Sequence, residues 1–328
     1  MISEVEQYFS NDRILDAEIE ILLICVYFVL IVTTLIINAP ILVIILQQKS
    51  LWKPNTLLLL NLVTSNVSAA FVCMPFTLIS SLRRSWTLGR FVCKIVPFLQ
   101  GKTVFVSAGT VTSIAIDRLI CILYSRPINP KISGVNLSYR YSSLIWLIAI
   151  ILNFPIFRFQ ELVTVAFQNV TLFDICIEVW PEDVRFIYTL LSALVAFFVP
   201  VCSLIICHIK ISHFLNTRLK AIKNQTSSRS NRLKADSTRK EIRRNSKVTL
   251  NLMIGTVAYM ISWLPLNLFN LYVDYYATEV SLTLKQLYVV FIICHLLAMS
   301  SAISNTMIYG YMNTNIRKAF KVVKFFRF

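Results

Sequence analysis

Residues 112–127 read TSIAIDRLICILYSRP, an aspartate and an arginine side by side in a run of isoleucine, leucine and cysteine. A soluble core rarely holds such a pair, and the centre of a bilayer penalises each charge by about 3 kcal/mol. Its position along the chain therefore decides how it is tolerated. Of 328 residues, 56% are hydrophobic and 15% charged, with a mean hydropathy of +0.68. Soluble domains carry nearer a quarter charged residues, so this is the composition of a membrane protein. A crossing helix needs about 20 mostly apolar residues. Seven stretches have that length: 21–46, 55–82, 94–123, 141–160, 186–212, 248–273 and 285–311. The expected fold is an all-α bundle of seven transmembrane helices. In the third, the 24 residues from Cys93 to Asp117 make about 36 Å of helix. That slightly exceeds a hydrocarbon layer of about 30 Å. Asp117 and Arg118 thus fall at the rim opposite Cys93, where Arg118 can snorkel and the two can pair. Taken alone, the pair reads equally well as an interfacial anchor.

Charge orients the bundle. Residues 208–247 hold twelve Lys or Arg against Asp236 and Glu241, and Arg317, Lys318, Lys321, Lys324 and Arg327 follow the seventh segment. Positive loops stay cytoplasmic, which predicts an amino terminus outside and a carboxyl terminus inside. Arg83, Arg84 and Arg90 fall on the predicted outside and dissent. The expected layout is an extracellular stretch 1–20, a transmembrane domain 21–311 with its third inner loop about 213–247, and a tail 312–328. Residues 1–20 carry Glu4, Glu6, Asp12, Asp16, Glu18 and Glu20 against Arg13, too acidic for a cleaved signal peptide. Residues 313–325 alternate basic and apolar side chains at helical spacing, as a short amphipathic helix on the inner leaflet does. The net charge of +16 is concentrated in loops that face anionic lipid, so a lipid bilayer, not nucleic acid, is the partner it implies.

Six of the eight cysteines lie in predicted helices. Cys93 and Cys176 fall on the oxidising side, where a bridge is plausible. Asn169-Val170-Thr171 is a glycosylation sequon on the same side. An odd segment count without visible repeats argues against a transporter. The enzyme motifs His-Glu-x-x-His and Gly-x-Ser-x-Gly are missing, no segment pairs carboxylates, and the chain has only three histidines. No enzyme activity, cofactor or metal is expected.

Asn38, Asn61-Leu62, Asn66, Cys93, Asp117-Arg118, Trp146, Pro155, Pro200, Trp263-Leu264-Pro265 and Asn305 through Tyr309 stand in order along the seven segments. This ordered set resembles a rhodopsin-like G-protein-coupled receptor. The stretches WTLGRFVCK (86–94), FQNVTLFDICIEVWP (167–181), SWLPLNLFNLYVDYY (262–276) and CHLLAMSSAISNTMIYGYMN (294–313) narrow the resemblance to the neuropeptide Y and neuropeptide F receptor group, in particular its invertebrate members. The resemblance implies a plasma-membrane receptor for an amidated peptide ending in Arg-Phe-amide or Arg-Tyr-amide, acting on a heterotrimeric G protein, the inhibitory class favoured. It implies that Asp274 pairs with the peptide's arginine, bidentately in the best geometry. Gln100, Asn270 and His295 match further pocket positions, and Trp263 lies at the kink that Pro265 makes. Arg118, beside Asp117, is the expected contact for the G protein once segment six swings out, with His208, Pro265, Asn305 and Tyr309 at switch positions. The alternative is a divergent receptor of this fold with another ligand or weakened signalling.

Five positions depart from the family's usual residues. Asn66 stands for an aspartate that helps bind sodium, so Ser107, Ser301 and Asn305 should hold that ion poorly. Leu119 stands for a tyrosine, Thr306 for a proline and His208 for a tyrosine, while Asn245 offers Arg118 no carboxylate. Lys102, nine residues inside segment three, must face water in the pocket or snorkel outward.

Overall fold

A computed structural model describes residues 13–123, 134–167, 170–181, 184–224, 229–276, 283–311 and 314–322. Among these, seven helices are long and apolar enough to cross a membrane: α1 (Ala17–Gln47), α2 (Thr56–Leu82), α3 (Gly89–Leu123), α4 (Tyr139–Phe159), α5 (Val184–Ile222), α6 (Asp236–Tyr275) and α7 (Lys285–Tyr311). A short helix, α8 (Thr314–Val322), follows. Between α4 and α5 the chain adds an antiparallel hairpin, β1 (Gln160–Phe167) and β2 (Val170–Glu178), beyond the all-helical expectation.

Lipid offers no hydrophobic drive between helices, so close packing and internal hydrogen bonds must join them. In α1, Tyr27, Thr34, Asn38, Ile41 and Ile45 are fully buried at helical spacing, whereas Ile21, Leu22, Phe28 and Val29 are exposed on the lipid side. The central helix α3 packs against α2, α4 and α5. Gly101 gives α4 its closest approach: Asn153 fills the space a Cβ would need and donates to the Phe98 carbonyl.

Two prolines shape the bundle by what they cannot donate. A π-helical turn, Ala69–Cys73, ends two residues before Pro75, and another, Leu194–Phe198, two residues before Pro200. The carbonyl four residues before Pro200, that of Ala196, has no proline N–H to bond. The Tyr259 hydroxyl of α6 donates to it, so the break in α5 becomes a tie between helices.

The third inner loop expected at 213–247 is mostly helix. The α5 helix continues to Asn224, and the helix containing α6 begins at Arg229. Apolar content marks where the membrane ends, but Lys, Arg, Leu, Ala and Gln sustain a helix equally well in water. The dissenting cation Arg83 also finds its reason. Glu20, 6% exposed, is held by Arg83 at 2.8 Å and by Arg13 at 3.4 Å. A backbone bridge joins Arg13 to Arg83, so the chain before α1 is fastened to the end of α2.

Candidate functional site

The end of the bundle under the hairpin is a recess. The Cys93–Cys176 disulfide ties β2 to the start of α3, and the Trp86 amide donates to the Asp174 carbonyl at 2.7 Å. Beneath lies a cavity of about 120 Å³ lined by Phe76, Thr77, Trp86, Pro97, Gln100 and Gln160. Gln100 belongs to a line of hydrogen bonds across four helices. The Thr77 hydroxyl donates to Gln100 Oε1 at 3.3 Å, and Gln100 Nε2 meets His295 Nε2 at 3.3 Å. His295 Nδ1 meets the Tyr27 hydroxyl at 2.9 Å. With Gln100 accepting from Thr77, its amide must donate to His295 Nε2, which fixes the histidine as the Nδ1–H tautomer.

Trp263 is buried one layer deeper, its indole N–H donating to Ser301 at 3.1 Å. Asn270 sits two helical turns above Trp263 on the same face. It is exposed, on the side of α6 away from the apolar stripe Val257, Ile261, Leu264, Leu268 and Tyr272. Asp274, one turn further, is not the solvated acid its place suggests. Its side chain is 7% exposed, with Oδ1 held by Arg185 Nε at 2.7 Å. The Thr189 hydroxyl donates to Oδ2 at 2.6 Å. Around this pair stand Trp180 stacked on Tyr188 at 4.9 Å and Phe186 near Tyr275 at 5.6 Å. Glu178 accepts from the Trp180 indole at 2.7 Å. Burial raises the Glu178 carboxyl above the ordinary glutamate range and the Asp274 carboxylate adds to the rise, while Trp180 and Arg185 oppose it. Much of Glu178 still reaches water, which screens these effects.

In the middle of the bundle the departures at 66 and 306 answer each other. Asn66 Nδ2 lies 3.0 Å from Asn38 Oδ1, 3.1 Å from the Ala302 carbonyl and 2.9 Å from the Thr306 hydroxyl. Thr306 in turn donates to Asn38 Oδ1 at 2.6 Å. A neutral cluster thus joins α1, α2 and α7 in full burial. Ser107 is engaged by Ser65 at 2.9 Å and Ser301 by Trp263, while Asn305 Oδ1 is buried without a protein partner among the described residues. Lys102 takes neither expected course: its ammonium stands 5.1 Å from the centre of the Trp146 ring, a cation–π contact between α3 and α4.

At the far end of α3, Asp117 and Arg118 are 3.6 Å apart and about three-quarters buried. Leu119 packs between two apolar clusters. Asn245 gives its backbone carbonyl to Thr249. His208 Nδ1 and the Tyr309 hydroxyl are both buried without a hydrogen-bond partner among the described residues. Asn169 lies outside the described residues.

The profile of the family described as 7 transmembrane receptor (rhodopsin family) matches residues 37–309, from inside α1 to inside α7. The chain belongs to the rhodopsin family of seven-transmembrane receptors. The receptor is 31% identical over 327 residues to the Neuropeptide F receptor of Drosophila melanogaster, covering 97% of this chain and 65% of that one. It is 32% identical over 310 residues to the Neuropeptide Y receptor type 2 of Homo sapiens, covering 92% and 76%. To the Neuropeptide Y receptor type 6 of Mus musculus it is 29% identical over 307 residues, covering 91% and 79%. Membership makes it a multi-pass plasma-membrane receptor and not an enzyme.

Several contacts in the receptor have no sequence signal. Arg185 reads as an ordinary interfacial cation, and Thr189 and Tyr27 as apolar-helix filler, because each partner is more than 80 residues away. Gly255 did carry a signal, as a lone glycine deep in an apolar helix. A Cβ there would stand 2.5 Å from the Tyr309 hydroxyl oxygen, so its absence lets α7 seat that ring on α6. Gly255→Ala is expected to push Tyr309 and α6 apart and to raise ligand-independent signalling several-fold at equal surface expression. An unchanged basal signal would show that the ring yields without moving α6.

Proposed function

We propose that the receptor binds an amidated, arginine-bearing neuropeptide of the Y/F kind at the hairpin end of the bundle. The supporting observation is a buried carboxylate, Asp274, held by a half-exposed arginine at the same end of the bundle as the polar line Thr77–Gln100–His295, in a chain whose relatives are named neuropeptide receptors. Asp274 takes the peptide's guanidinium, a planar donor that pairs bidentately with a carboxylate. Gln100 and His295, with Thr77 behind them, form the floor. Asn270 and Trp263 lie between floor and mouth, and the acids at the rim attract a cationic ligand.

In this reading the hairpin end and the amino terminus are extracellular and the Arg118 end is cytoplasmic, in keeping with the positive residues that follow α5 and α7. Peptide binding shifts α6 about its Pro265 kink. Arg118 is then uncovered for a heterotrimeric G protein of the inhibitory class, with His208, Asn305 and Tyr309 rearranging alongside.

The test is G-protein activation in transfected cells against a panel of Arg-Phe-amide and Arg-Tyr-amide peptides, comparing the native receptor with Asp274→Ala at matched surface expression. The variant is expected to lower potency by tenfold or more, about 1.4 kcal/mol. Silence of the native receptor across the panel, in cells where a control receptor responds, would reject the peptide assignment.

A further inference from the structure

Asp274 is already occupied. Arg185 Nε is 2.7 Å from Oδ1, and the Thr189 hydroxyl is 2.6 Å from Oδ2, so both carboxylate oxygens have partners before any ligand arrives. The Asp274 side chain is 7% exposed, whereas that of Arg185 is 47% exposed. The acid is therefore sunk in the wall, and the arginine that holds it is the exposed member of the pair. A second guanidinium must compete with Arg185 for Asp274, since the carboxylate is 7% exposed and Arg185 and Thr189 already hold one lone-pair site on each oxygen.

The geometry points to Arg185 as a resident competitor for the ligand's arginine, a residue that sets the receptor's selectivity by having to leave the Asp274 carboxylate before the peptide's guanidinium can take it. This inference rests on the reading of Asp274 as the peptide's anchor. The fold offers Arg185 somewhere to go. Glu178, at the end of β2, accepts from Trp180, which stacks on Tyr188 one helical turn along α5 from Arg185, and the half-exposed arginine can turn toward that acid. Before binding, one guanidinium serves two carboxylates, which leaves this corner of the recess with a net negative charge that draws a cation. After binding, two guanidiniums face two carboxylates and the corner is neutral, so no charge is left unpaired in the wall.

The exchange has a cost and a consequence. Ligand affinity is reduced by the fraction of receptors in which Arg185 has already moved aside. If about a tenth are open, the peptide binds about tenfold more weakly than the bare pocket would allow. A ligand lacking the guanidinium gains nothing from displacing Arg185, so its binding does not depend on whether Arg185 moves aside.

The experiment measures binding of two amidated probe peptides on membranes from cells expressing the full chain: one ending in Arg-Phe-amide, and its twin with the isosteric, neutral citrulline in place of the arginine. Four receptors are compared at equal surface density: native, Arg185→Gln, Arg185→Ala and Asp274→Ala. Arg185→Gln retains a hydrogen-bond donor over Asp274 and guards against a variant that simply fails to fold. The expected result is that both Arg185 variants bind the arginine peptide about tenfold more tightly and the citrulline peptide unchanged, while Asp274→Ala loses the preference between the two. If Asp274→Ala loses the preference but the Arg185 variants do not tighten the arginine peptide, the competitor role is overturned and the anchor reading stands. If Asp274→Ala keeps the preference, or the native receptor binds neither peptide, the anchor reading falls and the competitor role with it.

Discussion

Asn66→Asp should destabilise the receptor more than any other single-atom change in the bundle, and sodium should restore part of the loss. The Asn66 amide nitrogen donates into a set of acceptors: Asn38 Oδ1, the Ala302 carbonyl and the Thr306 oxygen, all buried. A carboxylate there turns donors into acceptors and sets a charge against two carbonyl-type oxygens. An uncompensated buried charge costs about 3–5 kcal/mol, or forces the new acid to protonate. Thr306, which donates to Asn38, can relieve this only by abandoning that bond. A hard cation could neutralise the acid by using Asn305 Oδ1, buried without a protein partner among the described residues. Thermal unfolding of purified receptor in choline chloride should show a midpoint several degrees below the native protein, recovering partly in sodium chloride at the same ionic strength. The native midpoint should be the same in both salts. Equal stability of variant and native in choline would mean that the cluster rearranges at no cost, and that its three hydrogen bonds do not hold α1, α2 and α7 together.

The second large effect is expected from the disulfide. Cys93 and Cys176 are 83 residues apart in sequence. In the chain-entropy account, closing a loop of that length is worth about 4–5 kcal/mol, an upper figure where the helices persist in the unfolded chain. The bridge also sets the hairpin over the recess. Gln160, Trp86 and the Asp174 carbonyl are placed by β1 and β2, and no other covalent tie holds the hairpin to α3. Cys176→Ser is expected to reduce surface receptor, read by antibody on intact cells, by at least tenfold. The fraction that arrives should bind peptide more weakly than native. Cys93→Ser and the double variant should match it, because either change removes the whole bridge. A single variant with native surface density and native peptide affinity would show that the strand pairing alone positions the hairpin.

How the departures were resolved shows where sequence reading stops. Asn66 and Thr306 read separately as two lost features, whereas the fold sets them 2.9 Å apart as donor and acceptor of one cluster. Positions 240 residues apart carry no local sign of pairing. Lys102 offered two courses by hydropathy, and a third was decided by a ring on the neighbouring helix. Helix runs through much of 213–247 for a different reason: the absence of apolar residues reports the edge of the membrane and says nothing about the end of a helix.

The sequence by itself determined the number of helices, the family and which ends of the bundle carry charge. These follow from run length, composition and ordered single-residue marks, all of which are local properties that a bilayer reads directly. The family resemblance also singled out Asp274, Gln100 and His295, by their match to the pocket positions of that group. Only the tertiary structure decided what those side chains touch. Asp274 is covered by Arg185 and Thr189, His295 is held by Tyr27 and Gln100, and Tyr309 rests on Gly255. Each of these contacts joins different helices, and side-chain packing across a bundle fixes which residues meet within a few ångströms, a distance that sequence spacing does not encode.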